Sequence, residues 1–234
     1  MAWRWGGLTL VLLALSGGPA LAEDPKLAPG RDPGGEAVAV LADGFDYLRP
    51  ELAATLARDG EGEAIAWDAV DGDHRPFARD GTGAEAALAC AAGGGVRVVA
   101  VRVPMGDAAS LAKGVGFAAS TPARMVVVAL AGEERSLLDV MAAAAQRFKA
   151  MLFVVSVPAP TADETKAGAA LANVVLINSQ GSQLAAAETI ATALGCERGA
   201  LVGASGAELK RSFLARLSKP VPVACKPDGG PQGE

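Results

Sequence analysis

Short, almost uninterrupted apolar runs recur along the chain, with longer Ala-rich stretches between them. Residues 37–41, 96–103, 125–130, 151–157 and 174–177 are such runs, with the length and composition of strands buried on both faces of a parallel sheet. Between them, residues 50–58, 83–92, 108–119, 136–149, 184–194 and 207–217 read as helices, the later ones with apolar positions at helical spacing. Gly93-Gly94-Gly95 stops one helix where a positive φ is needed and feeds the next strand. Strands alternating with helices predict an α/β domain, a mostly parallel sheet with helices on both faces. Ligands of such sheets bind beyond the carboxyl ends of the strands. Here those ends carry Ala42-Asp43-Gly44, Pro104, Ala131-Gly132 and Pro158.

The first 22 residues break this pattern. They hold one cation, Arg4, then the apolar run Leu8 to Leu15, then Ala20-Leu21-Ala22, the small-x-small pattern of a signal-peptidase site. The expectation is cleavage before Glu23, so residues 1–22 are a signal peptide and the protein is exported, periplasmic or extracellular. The run is well short of the roughly 20 apolar residues that a membrane span needs, and no later stretch reaches that length, so no membrane span is expected. Residues 23–36, rich in Pro, Gly and charge, read as a flexible lead-in. Residues 37–226 read as one domain, and residues 227–234 as a disordered tail.

Charge and composition narrow the function. The chain has 21 Lys and Arg against 26 Asp and Glu, and loss of Arg4 moves the net charge from −5 to −6. Cationic residues do not cluster, so a nucleic-acid partner is not expected. The three cysteines and single histidine have no zinc-ligand spacing, so neither a metal nor any other cofactor is expected. In an oxidising compartment three cysteines permit one bridge. Cys90 lies in the Ala-rich helix 83–92, where a small apolar side chain packs equally well, so it reads as a buried free thiol. Cys196 and Cys225 are left as the disulfide pair.

Three segments carry a resemblance. The first is Val38-Ala39-Val40-Leu41-Ala42-Asp43-Gly44-Phe45-Asp46 followed by Arg49-Pro50-Glu51-Leu52. The second is Asp80-Gly81-Thr82-Gly83-Ala84-Glu85-Ala86-Ala87, and the third is Gly181-Ser182-Gln183-Leu184-Ala185-Ala186. In this order, and on these elements, they resemble the Asp-Thr-Gly, His-Gly-Thr-His and Gly-Thr-Ser-x-Ala-Ala blocks of the subtilisin-like serine peptidases, over about residues 37–218. The resemblance implies a shortened subtilisin-like three-layer domain. It also implies that the reactive residue of each block has changed: Ala42 stands at the aspartate, Asp80 at the histidine and Gln183 at the serine.

A carboxylate near pKa 4 is a poor base for a serine hydroxyl, whereas imidazole near 6.5 is well placed. An amide cannot make the nucleophilic attack. The family's oxyanion asparagine falls near Ala159, so that donor is lost as well. The resemblance makes Ala129-Leu130-Ala131-Gly132 the substrate-groove strand end, able to pair an extended peptide through its backbone. Asp43, one residue past the aspartate position, is expected to aim away from it. A competing register at Gly203-Ala204-Ser205 would keep a serine, but Ser205 with Glu208 reads as a helix capping box. His74, in the polar loop Asp71-Gly72-Asp73-His74-Arg75, reads as a solvated residue.

Three functional classes follow. The first is a pseudoenzyme that binds or regulates an extended peptide or a protein partner. The second is an enzyme, either with residual serine endopeptidase activity or with other chemistry built on Asp43, Asp46 and Asp80 together with a metal. The third is a structural subunit that uses only the fold's surface. Composition sets no oligomeric state.

Overall fold

The structure is a computed structural model that describes residues 24–92, 95–104, 106–129, 135–157, 160–178 and 203–218. Its centre is a parallel sheet of β1 (Glu36–Ala42), β2 (Ala66–Asp68), β3 (Val96–Arg102), β4 (Met125–Val128), β5 (Leu152–Val157) and β6 (Val174–Asn178). The strand order is β2-β3-β1-β4-β5-β6, with β1 in the interior between β3 and β4, its Val38 paired with Val98 and Met125.

Strand alternation sends successive residues of β1 to opposite faces, and both faces are covered. Val38, Val40 and Ala42 join one buried cluster with Ala84, Ala87 and Cys90 of α2 (Gly83–Ala91) and Leu209 and Phe213 of the last described helix, α6 (Gly206–Leu217). Ala37, Ala39 and Leu41 join another, with Leu111 and Val115 of α3 (Ala108–Ala119) and Met141 of α4 (Arg135–Arg147). The domain is therefore a helix–sheet–helix sandwich. Among the described residues no helix is long and apolar enough to cross a membrane.

Three elements differ from the expectation drawn from the pattern. The helix expected over 50–58 is only α1, Pro50–Ala53. Beyond it Leu56 forms a bridge with Val98, Arg58 forms one with Ala64, and Ala57 donates its N–H to the Val98 carbonyl, so the sheet edge captures this stretch. β2 was not expected, because three residues ending in Asp carry no strand pattern. Helix α5 (Ala162–Ala170) was not expected either, because it has no apolar stripe and buries only Gly168. Its start is nonetheless written in the sequence, since Thr161 and Glu164 form a complete capping box.

Residues 24–35, expected to be a loose lead-in, are tied to the body. Tyr47 donates its hydroxyl to the Pro25 carbonyl, the buried Arg58 donates to the Ala28 carbonyl, and Gly30 donates its N–H to Gly62. The Asp32 carboxylate accepts from Arg58 N at 2.8 Å, Arg97 Nη1 at 2.9 Å and Gly34 N. Burial pushes the Asp32 carboxyl upward, but the two backbone donors and Arg97 outweigh it and hold the group below its ordinary value of 3.8. A depressed carboxyl contributes stability that is full above its unfolded value and is lost as the pH falls through the folded one. Backbone hydrogen exchange at residues 24–35, corrected for intrinsic rates, is thus expected to rise relative to β1 below pH 3.8, and Asp32→Asn to abolish that step.

Cys90 is buried and free, and burial pushes its thiol up to about 12. Cys196 and Cys225 lie outside the described residues.

Candidate functional site

The first two sequence blocks meet where β1 ends and α2 begins. Ala42, the last residue of β1, is fully buried. Two residues on, the chain turns at Gly44, whose φ of +142° suits glycine. Phe45 then donates its N–H to Pro76, and the Ala78 N–H returns to the Phe45 carbonyl, which docks the segment leading into α2 alongside the segment leaving β1. Gly83 donates its N–H to the Gly44 carbonyl at 3.0 Å.

Thr82 is the N-cap of α2, but its side chain makes no cap hydrogen bond. Asp43 instead holds Thr82 itself from across the junction: one carboxylate oxygen accepts from Thr82 N at 2.8 Å and from Thr82 Oγ at 2.7 Å. A carboxylate beside a helix start is favourable against the helix dipole. Asp43 lies one residue past the end of β1, and its carboxylate turns onto the start of α2.

Asp80 lies in the turn just ahead of α2. It is exposed and has no hydrogen-bond or ion-pair partner among the described residues. Gln183 and Ala159 lie outside those residues. Ala129 is buried and donates its N–H to the Leu41 carbonyl at 2.9 Å, so that group belongs to the sheet. Peptide pairing at this strand end has to start at Leu130, Ala131 and Gly132, which are outside the described residues.

Among the described residues, Ser205 and His74 are committed elsewhere. Ser205 caps α6: Glu208 N donates to its Oγ, while the Glu208 carboxylate accepts from Ser205 N and Oγ. Hydrogen bonds from Ser205 N, Ala204 N and Ser205 Oγ hold the Glu208 carboxyl below its ordinary range. His74 is exposed, as its polar loop suggests, yet it is anchored at the β2 edge. Its Nδ1 lies 2.9 Å from the Ala66 carbonyl, and its ring meets Trp67 edge-on at 5.3 Å.

Two features near that edge had no signal in the sequence. A cleft of about 470 Å³ is lined by Leu27, Tyr47, Leu56, Ile65, His74 and Phe117, among others. Carboxylate oxygens of Asp24, Asp68 and Asp71 lie within 4.8 Å of one another. The Arg102 guanidinium already reaches Asp68 at 2.9 Å and Asp71 at 3.3 Å and supplies the positive charge there. Burial and the neighbouring Asp71 push the Asp24 carboxyl upward. Each feature assembles residues distant in sequence, which no local motif could announce.

No family model and no curated protein matches this sequence. Among solved structures, the chain is similar to the crystal structure of a cold-adapted subtilisin-like serine proteinase. The TM-score is 0.53 at 16% sequence identity, over 79% of this chain and 82% of that one. The chain has a subtilisin-like fold. The order of its elements thus supports the subtilisin-like architecture that the three sequence blocks implied, and at this identity it is the architecture alone that the likeness carries.

Proposed function

We propose that this chain is an exported, catalytically inactive homologue of the subtilisin-like peptidases that works by binding an extended peptide or a protein partner. The observation that carries the proposal is the junction of β1 and α2. In the register of the sequence blocks Ala42 stands at the aspartate position and an exposed Asp80 at the histidine, while the neighbouring Asp43 carboxylate is engaged with Thr82. Gln183 at the serine position fits the same reading. Each change removes a group that the acyl-transfer mechanism needs, and what is left after loss of triad members is only what binding and oxyanion contacts supply.

Export rests on residues 1–22, with cleavage before Glu23. The binding role rests on the strand end 129–132, because backbone pairing to an extended peptide needs no triad. Residual endopeptidase activity would need a serine with a base beside it, and Ser205 is occupied as a helix cap.

The test is hydrolysis of casein by residues 23–234. No fragments are expected above the buffer control, and Ser182→Ala and Ser205→Ala are expected to change nothing. Cleavage that disappears in either variant would overturn the proposal.

A further inference from the structure

We infer that the space between the end of β1 and the start of α2, where the resemblance places the acid and the base of the triad, has been closed into a structural clasp, so that restoring the three reactive side chains does not restore catalysis. This rests on the register used for the proposed function, and it adds that the loss is built into the backbone packing and is not confined to three side chains.

The clasp has two parts. One is polar: the Asp43 carboxylate receives both Thr82 N and Thr82 Oγ, and Gly83 N donates to Gly44 O. The other is steric. A Cβ at Gly83 would stand 2.6 Å from the Gly44 carbonyl oxygen, 2.7 Å from Phe45 Cε1 and 2.9 Å from the Ala42 Cβ. A Cβ at Gly81 would run into the Gly44 carbonyl, and one at Gly44 into the Ala78 Cβ. Contacts this short with a carbonyl do not relax by a rotamer change; Gly44 and Gly81 stand where the Asp-Thr-Gly and His-Gly-Thr-His blocks also carry glycine, so the glycine particular to this chain is Gly83.

Position 83 is decisive. The block that resembles His-Gly-Thr-His places the family's second histidine on Gly83, where even a methyl group lacks room. Ala42 is fully buried and its Cβ faces that same point, so a carboxylate there would have to enter a packed junction. The replacements at 42 and 83 are therefore coupled: each removes side-chain atoms, and the main chains have closed over the gap. Asp43, left beside the closed junction, has become its hydrogen-bonded latch.

The first test is the sign of one thermal shift. Ala is a better helix former than Gly, so helix propensity alone predicts that Gly83→Ala raises the melting temperature. The clasp predicts a fall of about 5 °C or more. An unchanged or raised value overturns it. The second test is fluorophosphonate labelling of Ala42→Asp/Asp80→His/Gln183→Ser, read by intact mass. No adduct is expected. An adduct on this variant with none on the wild type overturns the clasp and leaves the proposed function standing, whereas a serine adduct on the wild type overturns the proposed function. If the triple variant does not fold while Asp80→His/Gln183→Ser does, Ala42→Asp is what the junction rejects, as the clasp predicts. If neither folds, the Gly83→Ala shift decides.

Discussion

Replacing Asp68 by Ala is expected to lower the unfolding free energy by about 3–5 kcal/mol. The Asp68 side chain is fully buried at the β2 edge and is the best-protected partner of Arg102, whose own side chain is 22% exposed. Its other oxygen accepts from Val70 N at 2.7 Å and Asp71 N at 3.1 Å, which folds the turn leading to His74. Removal leaves Arg102 only its longer contact to the exposed Asp71 and strands two backbone donors, and groups left unpaired in that way cost more than the original bonds contribute. Asp68→Asn keeps an acceptor for the turn and discards the charge, so it is expected to cost less than Asp68→Ala. The check is the urea midpoint at constant slope. A loss below about 1 kcal/mol for the Ala variant would mean that the pair and its turn are solvated, as surface ion pairs are.

The other large effect is expected at Phe213. It is fully buried, and with Gly206 and Leu209 it makes up the buried residues of α6. Phe213→Ala is expected to cost about 3–5 kcal/mol through lost burial and the cavity left under the sheet. Because α6 holds to the body through so few residues, the same substitution is expected to raise hydrogen exchange along 206–217 more than along β1. Leu214→Ala, on the exposed side of the helix, is the control and is expected to stay within about 0.5 kcal/mol of the wild type. Equal losses for the two variants would refute the face assigned to α6.

What the sequence revealed and what it hid follow from burial. Strands β1, β3, β4, β5 and β6 lie inside the sheet or under helices, so nearly every residue is apolar and the runs are legible. β2 is a three-residue edge element that ends in Asp68, and it lacks any such run. The apolar spacing of Leu52, Leu56 and Ala57 suits a helix as well as an edge bridge, and only the partner carbonyl of Val98 decides between them. α5 is solvated almost all round, so its single sign was the Thr161–Glu164 cap.

The first two sequence blocks do meet in the fold, and both were legible because Ala42 and the 80–83 turn belong to local motifs. The latch between Asp43 and Thr82 was hidden. It spans 39 residues and depends on where β1 stops, which alternation does not fix. The restriction at Gly83 was hidden for the same reason, since a glycine before an Ala-rich helix does not reveal which backbone lies against it.

The central claim, that this subtilisin-like fold carries no working serine nucleophile, is met most directly by intact-mass measurement of residues 23–234 after incubation with excess fluorophosphonate probe. The predicted result is an unmodified chain after prolonged incubation at neutral pH. A stoichiometric adduct that maps to Ser182 or Ser205 would contradict it.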